Sequence, residues 1–163
     1  MLSDIAIQVG GKISGPDIEV STFSSDTRSL ESGDVFVALV GENFNGINFL
    51  DEAINKGATA AIVSEEVNSE IPVIKVPDVH LALGKVASYV RKRSKAVLIA
   101  VTGSQGKTTV KEMIGSILSK KNATLITKAN FNNTIGVPLT LLQLQEHHEY
   151  AVIEMGADCH GEI

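Results

Sequence analysis

The chain has 163 residues, enough for one ordinary domain or two small ones, and its 44% hydrophobic and 20% charged content allows a buried core and excludes the signature of disorder. A formal net charge of −5 argues against a nucleic-acid-coating surface, and the single cysteine, Cys159, excludes an internal disulfide. Apolar runs such as Ala96 to Val101 fall far short of the about 20 residues needed to cross a bilayer, and the first residues lack a basic start, apolar run and cleavage site. The expectation is therefore a cytoplasmic protein with no membrane insertion and no nucleic-acid partner.

In chain order, Leu2 to Val9 reads as a short helix capped by Ser3 or Asp4. Extended stretches follow at Glu19 to Phe23 and Val35 to Val40, separated by a polar turn from Ser24 to Gly33. Phe49, Ala53 and Ile54 have helical spacing, closed by Gly57; Ala60 to Val63 and Val73 to Val76 read as strands, the second ended by Pro77. From Asp78 the apolar positions Leu81, Leu83, Val86, Ala87 and Val90 predict a helix that runs into Arg91-Lys92-Arg93-Ser94-Lys95. That basic run has two readings, an anionic-ligand site or a solvated helix end where cations suit the macrodipole, and it marks a domain boundary between 1–95 and 96–163. Beyond it come a strand (Ala96 to Val101), a glycine loop, a helix (Lys107 to Leu118), a strand (Thr124 to Ile126), a polar loop, a helix (Pro138 to Leu144) and a strand (Tyr150 to Met155). The fold class is α/β: a small α/β domain, then the start of a parallel sheet with right-handed crossovers, whose ligands belong at the carboxyl ends of the strands.

The most informative residues are Thr102-Gly103-Ser104-Gln105-Gly106-Lys107-Thr108-Thr109, which follow a β-branched strand and open a helix. Glycines let backbone N–H groups turn inward, the helix start supplies positive potential, Lys107 can neutralise phosphate charge, and the Thr108 hydroxyl can reach Mg²⁺. The usual spacing of a glycine, four residues and Gly-Lys-Ser/Thr is not met, because Val101 stands where the first glycine belongs; the form here is Gly-x-x-Gly-Lys-Thr-Thr. Tyr150-Ala151-Val152-Ile153-Glu154 is an apolar strand ending in a carboxylate, which reads either as a magnesium ligand beside the phosphate loop or as a solvated or capping glutamate. His80, His147 and His148 show no ligand spacing and read as helix-cap or surface residues, and Cys159 as a packing residue.

The loop resembles that of the Mur ligases, the ATP-dependent amide ligases of peptidoglycan precursor assembly. Ser25-Asp26-Thr27-Arg28, Gly33-Asp34-Val35-Phe36-Val37-Ala38-Leu39 and Gly41-Glu42 are similar to the family's uridine-nucleotide domain, and the resemblance runs in order along essentially the whole chain. The stretch from Asn130 to Leu142, with Glu154-Met155-Gly156-Ala157 and Gly161-Glu162-Ile163, resembles the members that take UDP-N-acetylmuramoyl-tripeptide and D-alanyl-D-alanine. A member that adds the third amino acid usually has Thr-Thr-Pro at the asparagine-rich place, and a non-catalytic uridine-nucleotide module is the alternative of another class.

The resemblance implies ATP and Mg²⁺ as cofactors. It implies Gly103, Ser104, Gln105, Gly106, Lys107, Thr108 and Thr109 around the ATP phosphates, with Lys107 as the catalytic cation on the transferred phosphate and Thr108 and Glu154 at the metal. Asn130, Asn132 and Asn133 would stand where phosphate meets the substrate carboxylate, although Asn-Asn equally suits a turn. Thr27 and Arg28 would contact the uridine diphosphate, with Glu42 and Asn43 nearby; without the resemblance Ser-Asp-Thr-Arg is an ordinary capped turn. Asn45-Gly46-Ile47 departs from the family's Asp-x-His, so a histidine contact is not carried over, and Asp158-Cys159-His160 departs from its Asn-His or Arg-His. The family has three domains, which leads to the expectation of a truncated chain, inactive alone and of open oligomeric state.

Overall fold

The first helix, α1 (Leu2–Val9), turns Leu2, Ile5, Ala6 and Val9 inward at the spacing of one helical face. Of the two expected caps Ser3 plays no part, while Asp4, at the third helical position, accepts from the N-cap residue Met1. Leu2 is fully buried and its amide donates to the Ile18 carbonyl at 2.8 Å, so the helix begins ahead of both residues. The Ser3 amide and hydroxyl instead donate to Asp17, at 2.9 and 2.7 Å, and Asp4 accepts from the terminal amine of Met1 at 3.0 Å. The computed structural model describes residues 1–156, so the expectations on Ala157, Asp158, Cys159, His160 and Gly161-Glu162-Ile163 lie outside the described residues.

After α1 come β1 (Lys12–Ser14), β2 (Phe23–Ser24), β3 (Val35–Val37), and the two short strands β4 (Val40–Gly41) and β5 (Phe44–Asn45). A 3-10 turn (Gly46–Phe49) leads into α2 (Leu50–Asn55), and β6 (Ala60–Val63), β7 (Val73–Lys75) and α3 (Val79–Arg93) follow. The main sheet has the order β1-β7-β6-β3-β2. All its pairs are parallel except β1 with β7, where Ile13 faces Ile74. The central β6, paired on both sides, is buried along its whole length, which explains its unbroken Ala-Ala-Ile-Val run.

Two expected strands are cut short, each by its own local bonding. Of Glu19 to Phe23, only Phe23 joins the ladder, because its partner β3 starts at Val35 opposite Phe23 and reaches no further back than the Thr22 carbonyl, which accepts from the Val35 amide at 2.9 Å. Val35 to Val40 breaks after Val37: the Leu39 amide bonds back to the Val37 carbonyl, and Val40 and Gly41 pair with Asn45 and Phe44 as a separate hairpin. β1 was not expected at all.

The core beneath the main sheet gathers Phe36, Leu30, Leu50, Val63 and Val73 with four alanines, Ala38, Ala53, Ala58 and Ala61. α3 starts where Asp78 Oδ1 accepts from the His80 and Leu81 amides, at 2.8 and 3.1 Å. Its basic end supports the helix-terminus reading, since Arg91 Nη1 donates to the Ser94 carbonyl at 3.2 Å. No helix among the described residues is long and apolar enough to cross a membrane.

The chain divides into two compact units, Met1–Tyr89 and Val90–Ile163. The second is built from β8 (Val97–Val101), α4 (Lys107–Leu118), β9 (Thr124–Ile126), α5 (Gly136–Leu141) and β10 (Tyr150–Glu154). Its sheet has the order β8-β10-β9, all parallel, as the alternation of strands and helices predicts. α4 turns Lys111 and Gly115 inward and leaves Val110, Met113 and Ile117 exposed. It runs so close to β9 that a Cβ on Gly115 would lie 2.5 Å from Ile126 Cδ1. α5 begins two residues before the expected Pro138, because Asn133 Oδ1 accepts from the Ile135 and Gly136 amides and caps the helix there.

Candidate functional site

Register makes the site in the second unit. In the parallel β8–β10 ladder Glu154 pairs with Val101, so the carboxylate ending β10 stands beside the last residue of β8, directly before residues 102–106. Those residues are exposed and turn through two glycines with positive φ, Gly103 at 149° and Gly106 at 75°. Gly106 is the N-cap of α4, in a left-handed conformation that a side chain would strain. α4 therefore opens at Lys107 with first-turn amides that have no acceptor within the helix, facing the space over the strand ends.

The side chains converge on one oxygen. Thr108 Oγ1 donates to Glu154 Oε1 at 3.1 Å, and Asn132 Nδ2 donates to the same atom at 2.8 Å. Glu154 is 1% exposed, and its other oxygen, Oε2, is buried with no hydrogen-bond partner among the described residues. The solvated-glutamate reading is thereby removed. Lys107 reaches back over the loop, its Nζ donating to the Gly103 carbonyl at 2.7 Å, so its charge already sits at the loop mouth.

The three asparagines separate. Asn132 joins Glu154; its carbonyl also accepts from the Gly156 amide at 2.7 Å, tying the polar loop to the end of β10. Asn133 has its side-chain oxygen committed to capping α5, the turn role that competed for it. Asn130 is exposed and accepts through its backbone from the Asn132 amide at 2.7 Å.

Sequence reasoning missed two residues here, Lys111 and Thr127. Lys111 is fully buried, donates to the Thr127 carbonyl at 2.8 Å and lies 3.8 Å from Glu154 Oε2. Thr127 is 1% exposed and its hydroxyl accepts from the Glu154 amide at 3.0 Å. The available signal was the placement of Lys111 one turn beyond Lys107, on the same face of α4.

In the first unit, Thr27 and Arg28 lie on one turn. Thr27 is buried and its carbonyl accepts from Lys56 Nζ at 2.8 Å. Arg28 is exposed and forks onto Asp26, with Nη2 2.6 Å from Oδ2 and Nε 2.9 Å from Oδ1. Glu42 and Asn43 belong to a different element, the exposed turn of the β4–β5 hairpin. Asn45 caps the 3-10 turn, its Oδ1 accepting from the Ile47 amide at 3.1 Å. Phe44 and Phe49 stack beside it, with centroids 5.3 Å apart. His80 reaches the Val40 carbonyl from the first turn of α3, and His148 Nδ1 accepts from the Gln145 amide at 3.0 Å, so both close local structure.

These contacts set a pH dependence. The Arg28 guanidinium and amide hold Asp26 below the usual carboxylate range, the Ser3 hydroxyl and amide do the same for Asp17, Lys56 and the Thr27 hydroxyl lower Glu52, and Lys75 lowers Glu66. Burial, then the neighbouring His147, lowers His148. In every case the unfolded chain binds protons more readily, so stability is full above the unfolded value and falls as pH drops through the folded one. The thermal midpoint is expected to be level near pH 7.5, to dip slightly below about 6.5, where the unfolded chain's His148 takes up a proton that the folded one resists, and to fall further below about 4. A midpoint that rises on acidification to pH 3.5 contradicts this account, and 0.5 M salt should flatten the parts from Asp26, Glu52 and Glu66, whose ion pairs are exposed, more than that from Asp17.

Comparisons with known proteins show which family the chain resembles. The Mur ligase family, catalytic domain, matches residues 19–122, and the Mur ligase middle domain matches residues 101–162. The chain is 46% identical over 162 residues to the UDP-N-acetylmuramoyl-tripeptide--D-alanyl-D-alanine ligase of Escherichia coli, covering 99% of this chain and 36% of that protein. Among solved structures it is similar to MurF from Acinetobacter baumannii, with a TM-score of 0.85 and 43% identity over 98% of this chain and 36% of the other. It is also similar to the MurF ligase from Thermotoga maritima in complex with ADP, with a TM-score of 0.75 and 34% identity over 91% of this chain and 35% of the other. The chain thus spans a little over a third of the length of these relatives. With the phosphate-type loop, the parallel strands beneath it and the matched families in agreement, the chain belongs to the Mur ligase family.

Proposed function

We propose that the chain provides the uridine-nucleotide-binding domain (1–95) and the phosphate-binding part of the central ATPase domain (96–163) of a cytoplasmic ATP-dependent, ADP-forming amide ligase. The reaction is the joining of D-alanyl-D-alanine to UDP-N-acetylmuramoyl-tripeptide in peptidoglycan precursor synthesis. The observation that carries this reading is the meeting of Thr108 and Asn132 on Glu154 Oε1 at the mouth of the loop.

The residues fit a magnesium ion. The donors are hard oxygens, and the Thr108 hydroxyl already stands 3.1 Å from Glu154 Oε1, a pair that one cation could share. The set would be of the nucleotide type, one carboxylate and one hydroxyl, Glu154 and Thr108, with phosphate oxygens completing it. When bound, the ion would draw off charge from the phosphates as the phosphoryl group moves.

The tripeptide carboxylate oxygen attacks the γ-phosphorus and the bond to ADP breaks, giving an acyl phosphate. The dipeptide amine then attacks the acyl carbon, phosphate leaves, and the amine proton is lost as the amide forms. Lys107, released from the Gly103 carbonyl, would follow the transferred phosphoryl group. The amides of Gly103, Ser104, Gln105, Gly106, Thr108 and Thr109 would hold the remaining phosphates, and Asn132 would fix the approach of the substrate carboxylate. Thr27 and Arg28, with Glu42 and Asn43, would take the uridine diphosphate, Arg28 exchanging Asp26 for phosphate oxygens.

Calorimetric titration of the 163-residue chain with MgATP and, separately, with UDP-N-acetylmuramoyl-tripeptide tests the reading. Saturable binding of both ligands is expected, with no ADP release when D-alanyl-D-alanine is added. Binding of neither ligand overturns the reading; binding of the uridine nucleotide alone favours a non-catalytic module.

A further inference from the structure

Lys111 is the fully buried cation of the second unit's described residues, and nothing in the phosphate-loop pattern calls for it. A buried ammonium is costly unless its donors are used and its charge is answered. Here one donor goes to the Thr127 carbonyl at 2.8 Å, the Glu112 carboxylate lies 2.7 Å away, and Glu154 Oε2 faces the charge at 3.8 Å. Glu154 is thus held from two sides: Oε1 by the Thr108 and Asn132 donors, and Oε2 by a positive charge too distant for a hydrogen bond. Thr127 closes the arrangement, because its carbonyl receives Lys111 while its hydroxyl receives the Glu154 amide.

We propose that Lys111 is a positioning residue that orients the Glu154 carboxylate toward Thr108 and so governs how strongly Mg²⁺ assists nucleotide binding. The proposal rests on the reading of Glu154 and Thr108 as the metal side of the site. Lys107 and Lys111, one turn apart on α4, divide the work: the first serves the phosphates from the loop, the second holds the carboxylate from beneath.

A merely structural lysine would alter stability, or ATP affinity with and without metal alike. The test is therefore the ratio of ATP affinity in Mg²⁺ to that in EDTA, measured by calorimetry on the 163-residue chain. In Lys111→Met this ratio is expected to collapse at least about tenfold, the scale at which loss of an outer partner weakens a metal site, with metal-free affinity unchanged within about twofold. In a Glu154→Gln background, Lys111→Met should change the ratio no further. Lys111→Gln, which keeps a donor for the Thr127 carbonyl, serves the same comparison if the methionine variant does not fold. An unchanged ratio in the single variants, or a further fall in the double variant, overturns the role of Lys111 alone. An unsubstituted chain that binds ATP equally with and without Mg²⁺ overturns this proposal together with the reading beneath it.

Discussion

Replacing Lys107 with alanine is expected to weaken MgATP binding by the chain at least about 100-fold. Hydrogen bonds to charged groups contribute about 1.5–3 kcal/mol each, and about 2.7 kcal/mol corresponds to 100-fold in affinity. The ammonium stands at the loop mouth with one protein acceptor, the Gly103 carbonyl, so it can turn to phosphate without breaking a core contact. Because that bond spans an exposed loop, the substitution should leave the thermal midpoint nearly unchanged and should not alter binding of the uridine nucleotide. Lys107→Arg keeps the charge but replaces a compact donor with a planar fork, and an intermediate loss is expected. Calorimetry with MgATP checks all of this, and an alanine variant within about threefold of the parent would remove Lys107 from the phosphate site.

The second large effect is on stability. Phe36→Ala is expected to cost about 3–5 kcal/mol, against a total of about 5–15 kcal/mol for a domain. The upper end is the better estimate, for a reason visible in its neighbours. Phe36 is 1% exposed, and its cluster includes Ala38, Ala53, Ala58 and Ala61, methyl groups that cannot extend into a vacated ring site. The cavity would persist and its lining would lose its dispersion contacts. Phe36→Leu, which fills most of the space, should cost less than half as much. Urea unfolding followed by circular dichroism measures both; equal midpoints for the alanine variant and the parent would mean that this ring does not organise the core.

The parts legible in sequence were those with a dense local signal. A β-branched run, two glycines and Gly-Lys-Thr located the loop and the start of α4 at Lys107, and Ala60–Val63 and Thr124–Ile126 stood out as strands. β1 was illegible because Lys-Ile-Ser has little strand character of its own; its ladder is completed by β7, more than fifty residues away in sequence. Lys111 was hidden for a different reason. Periodicity in α4 allows two faces, one through Val110, Met113 and Ile117 and one through Lys111 and Gly115, and the more apolar face is the one left exposed. Asn132 and Asn133 show the limit within the site itself: identical neighbouring side chains, one holding a buried carboxylate and the other capping a helix.

The close approach of α4 to β9 at Gly115 reaches beyond packing. Lys107 lies eight residues back along the same helix, about 12 Å at the usual rise, so the contact and the loop occupy opposite ends of one stiff rod. With no Cβ at position 115, the rod rests almost on Ile126, and the strand beneath acts as a fulcrum. A larger residue there would have to displace the Ile126 side chain or lift the helix from the strand. The one helix position without a Cβ at this contact thus sets how closely the helix that begins at Lys107 lies on the sheet.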